Sequence, residues 1–305
     1  MDVNQLKEAI IKLKNEKNAL ILAHNYQIGD VQDIADVVGD SYALAKKAAM
    51  TDCSIIVFCG VHFMAESAKI LNPEKTVLLP VLDAGCPMAD MVDAEGLRKL
   101  KAKHPDAKVV TYINSSAEVK AESDVICTSS NAVKIVASLD AKKIIFAPDK
   151  NLGNYIAKLI PDKEFILWNG FCLTHARVKP EDVDKVRESH PSAKVLVHPE
   201  CTIEVQDKAD FVGSTAEIIE YAGKIPEKEI IVGTEEGVLH IMRAKYPDKK
   251  FYLLSPGLIC PNMKKTRLVD VYEALLNNQN VIEVEPEVRV KALKALQEML
   301  RLGED

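Results

Sequence analysis

The sequence predicts an α/β protein of three homologous αβα-sandwich domains with short parallel sheets, in pseudo-threefold arrangement around a central cavity. Three observations carry this. A short apolar run ending in a polar ring recurs about every 87 residues, at residues 19–24, 107–112 and 193–198, with His24, Tyr112 and His198 as the rings. A hydroxyl follows each ring by 17 residues, at Ser41, Ser129 and Thr215, inside the related strings Asp36-Val-Val-Gly-Asp-Ser41, Asp124-Val-Ile-Cys-Thr-Ser129 and Asp210-Phe-Val-Gly-Ser-Thr215. Cys86, Cys172 and Cys260 then follow those hydroxyls by 45, 43 and 45 residues. A repeat of this length exceeds the usual solenoid periods, so each copy is expected to be a small α/β domain.

Within each copy, short β-branched runs alternate with helix-length amphipathic segments, the pattern of parallel βαβ units covered on both faces. The first copy predicts strands at 19–23, 54–58 and 77–79, with helices from about 31 and over 63–71. The second predicts strands at 109–112, 143–146 and 164–168, with helices at 132–139 and 151–159. The third predicts strands at 195–197, 229–232 and 250–254, with helices at 216–222 and 237–245. Basic helical links at 94–104 and 180–190 each end in His-Pro. After Cys260 come an expected helix at 268–277, a strand at 281–284 and a helix at 287–302. The expected division is 1–87, 88–173 and 174–260, with 261–305 packing back onto the first repeat.

Composition narrows the function. With 39 Lys and Arg against 45 Asp and Glu the net charge is −6, unlike the broadly basic face of a nucleic-acid protein. Small molecules are the expected partners. No run approaches the roughly eighteen apolar residues of a membrane helix, and residues 1–17 alternate Lys and Glu with apolar positions, unlike a secretory signal. Seven cysteines fit a reducing compartment, where thiols stay free or bind metal. A cytoplasmic location is therefore expected.

Equivalent residues of three copies would converge on the pseudo-threefold axis. Three thiols there offer a trigonal face of soft ligands suited to zinc or to an iron–sulfur cluster, with His175 as a further ligand in the zinc case. Cys53, Cys59, Cys127 and Cys201 lack equivalents and are read as structural. The three hydroxyls are candidate helix caps, yet a helix start also attracts anions, and three such starts would receive a multiply anionic small molecule. Each ring has a companion two residues on, Tyr26, Asn114 or Glu200, on the same side of an extended chain. Ligands of parallel sheets sit beyond the C-terminal strand ends, where His24, Tyr112, His198 and Glu200 are placed for acid–base work. His62, His104, His190 and His240 are read as surface or core, and Lys264, Lys265 and Arg267 as a solvated helix start. No glycine-rich nucleotide loop occurs; Gly153 and Gly170 are isolated.

The strings Ala23-His-Asn-Tyr-Gln27, Asp33-Ile-Ala-Asp36, Gly39-Asp-Ser41, Phe63-Met-Ala-Glu66, Cys86-Pro-Met-Ala89, Tyr112-Ile-Asn-Ser115, His198-Pro-Glu-Cys201, Gly213-Ser-Thr215 and Cys260-Pro-Asn-Met-Lys264 resemble the quinolinate synthase (NadA) family, in one order over essentially the whole chain. The resemblance implies a condensing and dehydrating transferase of NAD biosynthesis. It joins iminosuccinate to dihydroxyacetone phosphate, losing phosphate and two waters, and an aspartate-oxidising enzyme upstream supplies the imine. It also implies one oxygen-sensitive [4Fe–4S] cluster per chain, held by position on Cys86, Cys172 and Cys260. By the same matching His24, Ser41, Tyr112, Asn114, Ser129, His198, Glu200 and Thr215 bind substrate or move protons, with Glu200 and Tyr112 for proton transfer and His24 and His198 orienting intermediates. Many members carry Gly-His-Cys before the second ligand, whereas this chain has Gly170-Phe171-Cys172. Two other readings are an aconitase-type hydro-lyase and a non-catalytic redox-sensing iron–sulfur or zinc module.

Overall fold

The apolar runs form strands because helices bury them on both faces. In the computed structural model, which describes residues 1–303, three four-stranded parallel sheets share one plan. The first unit runs α1 (Val3–Glu16), β1 (Ala19–His24), α2 (Gly29–Asp33), β2 (Val37–Gly39), α3 (Ser41–Met50), β3 (Ile55–Cys59), α4 (His62–Leu71) and β4 (Thr76–Leu78). The second runs α5 (Ala94–Lys103), β5 (Lys108–Tyr112), α6 (Ala117–Ala121), β6 (Val125–Cys127), α7 (Ala132–Ser138), β7 (Lys143–Ala147), α8 (Lys150–Leu159) and β8 (Glu164–Leu167). The third runs α9 (Pro180–Ser189), β9 (Lys194–Val197), α10 (Ile203–Gln206), β10 (Phe211–Val212), α11 (Thr215–Lys224), β11 (Glu229–Gly233), α12 (Val238–Lys245) and β12 (Lys250–Leu253). Strand orders are β2-β1-β3-β4, β6-β5-β7-β8 and β10-β9-β11-β12. The helices read from sequence as links, α5 and α9, open their units as α1 opens the first.

Each sheet has one strand more than the sequence predicts. β2, β6 and β10 are only two or three residues long, too short to show a period. A side chain splints each one: the carboxylates of Asp36, Asp124 and Asp210 accept from the N–H of Ile21, Val109 and Val195, all at 2.8 Å. The aspartate that opens each repeated string thus ties an edge strand to its neighbour.

Two expectations for the C-terminal segment are corrected. The expected strand at 281–284 is a single antiparallel bridge, Val281 to Leu78, flanked by Leu79 N–H to Asn280 O and Ile282 N–H to Val77 O; β4 has only three residues, so a longer ladder has no partner. Nor does the segment pack on the first unit alone. α13 (Leu268–Asn277) lies on α1 and β3, but α14 (Pro286–Gly303) lies chiefly against α6 and β6, with further contact to α4 and α7. Its Ala292, Ala295, Leu296 and Met299 join one core with Phe58 and Ala68 of the first unit and Val125 and Ile126 of the second. Burying such large side chains contributes about 1.5–3 kcal/mol each. The third unit keeps its own two cores, one on each face of its sheet.

Candidate active site

Parallel strands deliver their C-terminal ends to one side of each sheet. His24 and Tyr112 are the last residues of β1 and β5, and His198 follows β9 directly. The chain then turns identically in the first and third units. Tyr26 N–H donates to His24 Nδ1 at 3.2 Å, and Glu200 N–H donates to His198 Nδ1 at 3.3 Å. An accepting Nδ1 places the ring proton on Nε2. Burial pushes both imidazoles down to about 3, so each is neutral and offers an Nε2–H; His198 Nε2 lies 3.2 Å from Ser129 Oγ.

Buried amides hold these turns. Gln32 Nε2 donates to the carbonyls of Asn25 and Gln27, and Gln206 Nε2 to those of Pro199 and Cys201, at 2.7–3.1 Å. At the matching position of the second unit stands Lys120, fully buried, whose ammonium donates to Ser115 O.

The hydroxyls are not caps. Asp40 caps α3 and Ser214 caps α11, while Asn131, which precedes α7, accepts from Thr128 N–H. Ser41 and Thr215 are instead the first residues inside α3 and α11. Freed from capping, Ser41, Ser129 and Thr215 all face one cavity. The same wall carries His24, Tyr112, Asn114, His198 and Glu200, and also Cys86, Cys172 and Cys260. All eleven residues singled out from the sequence therefore meet in one place.

Three further residues connect them. Tyr112 donates to Glu200 Oε1 at 2.8 Å, and His175 Nδ1 lies 2.7 Å from Glu200 Oε2 and 3.2 Å from Cys172 Sγ. His175 Nε2 is 2.9 Å from Thr234 Oγ1, which is 2.7 Å from Tyr26 Oη, itself 2.8 Å from Thr215 Oγ1. An unbroken hydrogen-bonded chain so crosses the cavity from the second unit to the third and the first. Burial by itself would raise Glu200, but the neighbouring His175 and the hydrogen bonds from His175 and Tyr112 outweigh it and pull the carboxyl down to about 2. The sequence reading offered His175 only as a zinc ligand, Tyr26 only as a companion and Thr234 not at all. One signal was present: three residues after each repeated cysteine stand Ala89, His175 and Met263, and only the middle one is polar.

The cysteines are held from behind. Asp149 Oδ2 accepts from Cys172 N–H at 3.0 Å, and Glu235 Oε1 accepts from Cys260 N–H at 3.1 Å. Lys264, expected in solvent, is 2.9 Å from the fully buried Glu235 and donates to Tyr26 O; its charge offsets that carboxylate. Burial pushes the Cys86 thiol up to about 12 and raises Cys172 and Cys260 as well. These are thiols that a proton or a metal must neutralise. Cys59, Cys127 and Cys201 are buried in the cores, away from the cavity. The ring of Phe171 lies beneath Lys150 Nζ, 5.1 Å from it, and takes no part in the cavity wall.

Three repeated α/β units closing on one cavity of imidazoles, carboxylates, hydroxyls and thiols define an enzyme that works on a small molecule. The family model described as "Quinolinate synthetase A protein" (NadA) matches residues 8–301. The quinolinate synthase of Caldicellulosiruptor bescii is 60% identical over 303 residues, covering 99% of this chain and 100% of the relative. Those of Alkaliphilus metalliredigens and Clostridium kluyveri are 59% and 58% identical over 302 residues, each again covering 99% of this chain and 100% of the relative. The chain belongs to the quinolinate synthase family.

Proposed function

We propose that this chain condenses iminosuccinate with dihydroxyacetone phosphate to quinolinate, losing phosphate and two waters, in the de novo synthesis of NAD. The observation that carries the reading is the set of three equivalent ring–hydroxyl pairs facing one cavity around Glu200. Two carboxylates and a phosphate need several anion-binding points. Ser41 and Thr215, at the starts of ten-residue helices, place a hydroxyl at the positive end of a helix dipole, and Ser129 adds a third hydroxyl. Asn114 Oδ1 is buried without a hydrogen-bond partner among the described residues, an acceptor that a substrate N–H or O–H would satisfy. His24 and His198 offer neutral Nε2–H donors that orient carbonyl or hydroxyl oxygens without competing for protons. Glu200, ionised and aimed into the cavity, accepts a proton as the ring closes; Tyr112, hydrogen-bonded to it, returns one to a departing hydroxyl.

The donor set fits a [4Fe–4S] cluster on Cys86, Cys172 and Cys260. The three thiols line one wall. Among the described residues they do not all lie within 4.8 Å of one another, though Cys86 is near enough to Cys260 and Cys172 to Cys86 for their charges to interact, and three soft thiolates are the ligand type of such a cluster. Such a cluster, with one iron left without a protein ligand, supplies a Lewis acid that polarises a hydroxyl or carbonyl during dehydration.

Imine chemistry implies a supplier, an aspartate-oxidising enzyme, because the imine hydrolyses in water. Among the described residues no helix is long and apolar enough to cross a membrane, and a cytoplasmic enzyme fits the free thiols. The test is anaerobic purification, iron and sulfide analysis, and chromatography of products from the two substrates. Quinolinate formation by the wild type, with loss of both visible absorption and product in Cys172→Ala, is expected. Hydration of a dicarboxylate with no quinolinate, or an unchanged Cys172→Ala spectrum, would overturn the reading.

A further inference from the structure

We infer that the protein without its cluster holds a single zinc-type divalent ion on Cys172 Sγ, His175 Nδ1 and Glu200 Oε2. These three donor atoms lie within 4.8 Å of one another, and no other group of three His, Cys, Asp or Glu donors does so among the described residues. His175 and Glu200 are 1% and 4% exposed. One thiolate, one imidazole and one carboxylate are a zinc donor set, with the fourth position left to a water in the cavity.

Each donor has a partner of its own behind it, as metal ligands do. Thr234 Oγ1 engages His175 Nε2 and leaves Nδ1 toward the ion. Tyr112 occupies Glu200 Oε1, so Oε2 is the oxygen that faces His175. Asp149 anchors the Cys172 backbone. Nδ1 and Oε2 face each other at 2.7 Å, and the ion would sit between them. Tetrahedral zinc with bonds of about 2.0–2.3 Å separates its ligands by about 3.3–3.6 Å. The Sγ···Nδ1 distance is already 3.2 Å, so the main adjustment is a widening of the Nδ1···Oε2 gap from 2.7 Å.

Charge favours the same site. A divalent ion with one thiolate and one carboxylate sums to zero, the least costly arrangement in a buried place. An ion on all three thiolates would carry a net negative charge there. The pseudo-threefold axis supplies no second copy, because Ala89 and Met263 stand where His175 does. Binding at Nδ1 keeps the imidazole proton on Nε2, where it is donated to Thr234 Oγ1, releases to solvent the Cys172 thiol proton and any second imidazole proton, and removes Cys172 from the cluster tripod, so ion and cluster exclude each other. It also engages Glu200; that the ion therefore blocks catalysis rests on the function proposed above, whereas its binding does not.

The experiment uses full-length, chelator-stripped, cluster-free protein titrated with Co²⁺ in the absence of oxygen. One equivalent should bind with tetrahedral d–d bands and a thiolate-to-cobalt charge-transfer band, and Zn²⁺ should displace it. Cys86→Ala and Cys260→Ala should keep these bands. His175→Ala and Glu200→Ala should weaken binding at least about tenfold, and Thr234→Val by about 10–100-fold as an outer-shell partner. His175→Cys, which restores a ligand, should recover tight binding and serves as the control for folding. Loss of the bands in Cys86→Ala or Cys260→Ala, unchanged binding in His175→Ala, or no stoichiometric uptake by the wild type would each overturn the inference. Because no activity is read, failure of the proposed reaction would leave this result standing.

Discussion

Tyr112, at the end of β5, donates its hydroxyl to Glu200, two residues beyond His198, its equivalent in the third unit, at 2.8 Å. Two residues 88 apart in the chain thereby meet in the cavity, as the proton-transfer pair of the proposed reaction. The bond helps keep Glu200 ionised. Tyr112→Phe removes it, so the Glu200 pKa should rise and the acid limb of the pH–rate profile should move to higher pH. Loss of one positioned donor should lower kcat by about 10²–10³-fold. An unmoved acid limb in a steady-state profile would show that Glu200 does not titrate in the reaction.

Lys120 fills the place of Gln32 and Gln206, and burial pushes its ammonium down from 10.5 to about 8. Between those values the unfolded chain binds more protons than the folded one, so stability must rise with pH across that window. Lys120→Gln should abolish the rise. Urea denaturation of both proteins at several values from pH 8 to 10 measures it: the wild type should gain on the variant as pH increases, and parallel curves would contradict the burial.

Leu296 of α14 is fully buried in the core shared by the first two units. Leu296→Ala should cost about 2–5 kcal/mol, read as a lower urea midpoint with an unchanged slope. A cost below about 1 kcal/mol would mean that α14 contributes little to joining those units.

Much of the cavity was legible in the chain because a repeat carries spatial information. Residues at one register position in three copies occupy equivalent places, so Ser41, Ser129 and Thr215 could be brought together without coordinates. Features outside the register were not legible. His175 looks like any histidine near a cysteine until Glu200 and Thr234 arrive from a sheet folded later in the chain. Thr234 follows β11 with no local mark of function. The edge strands escaped because two or three residues cannot display a period of two.

By itself the sequence determined the α/β class, the threefold repetition and the three cysteines, since hydrophobic period and residue identity are local properties read along the chain. Only the tertiary structure decided which units share a core and which side chain meets which. α14 reaches the second unit as well as the first because its apolar face fits the groove beside α6 and β6. The chain from Tyr112 through Glu200, His175, Thr234 and Tyr26 to Thr215 exists because its contacts span up to 208 residues, and distances of that kind are set by how the units pack.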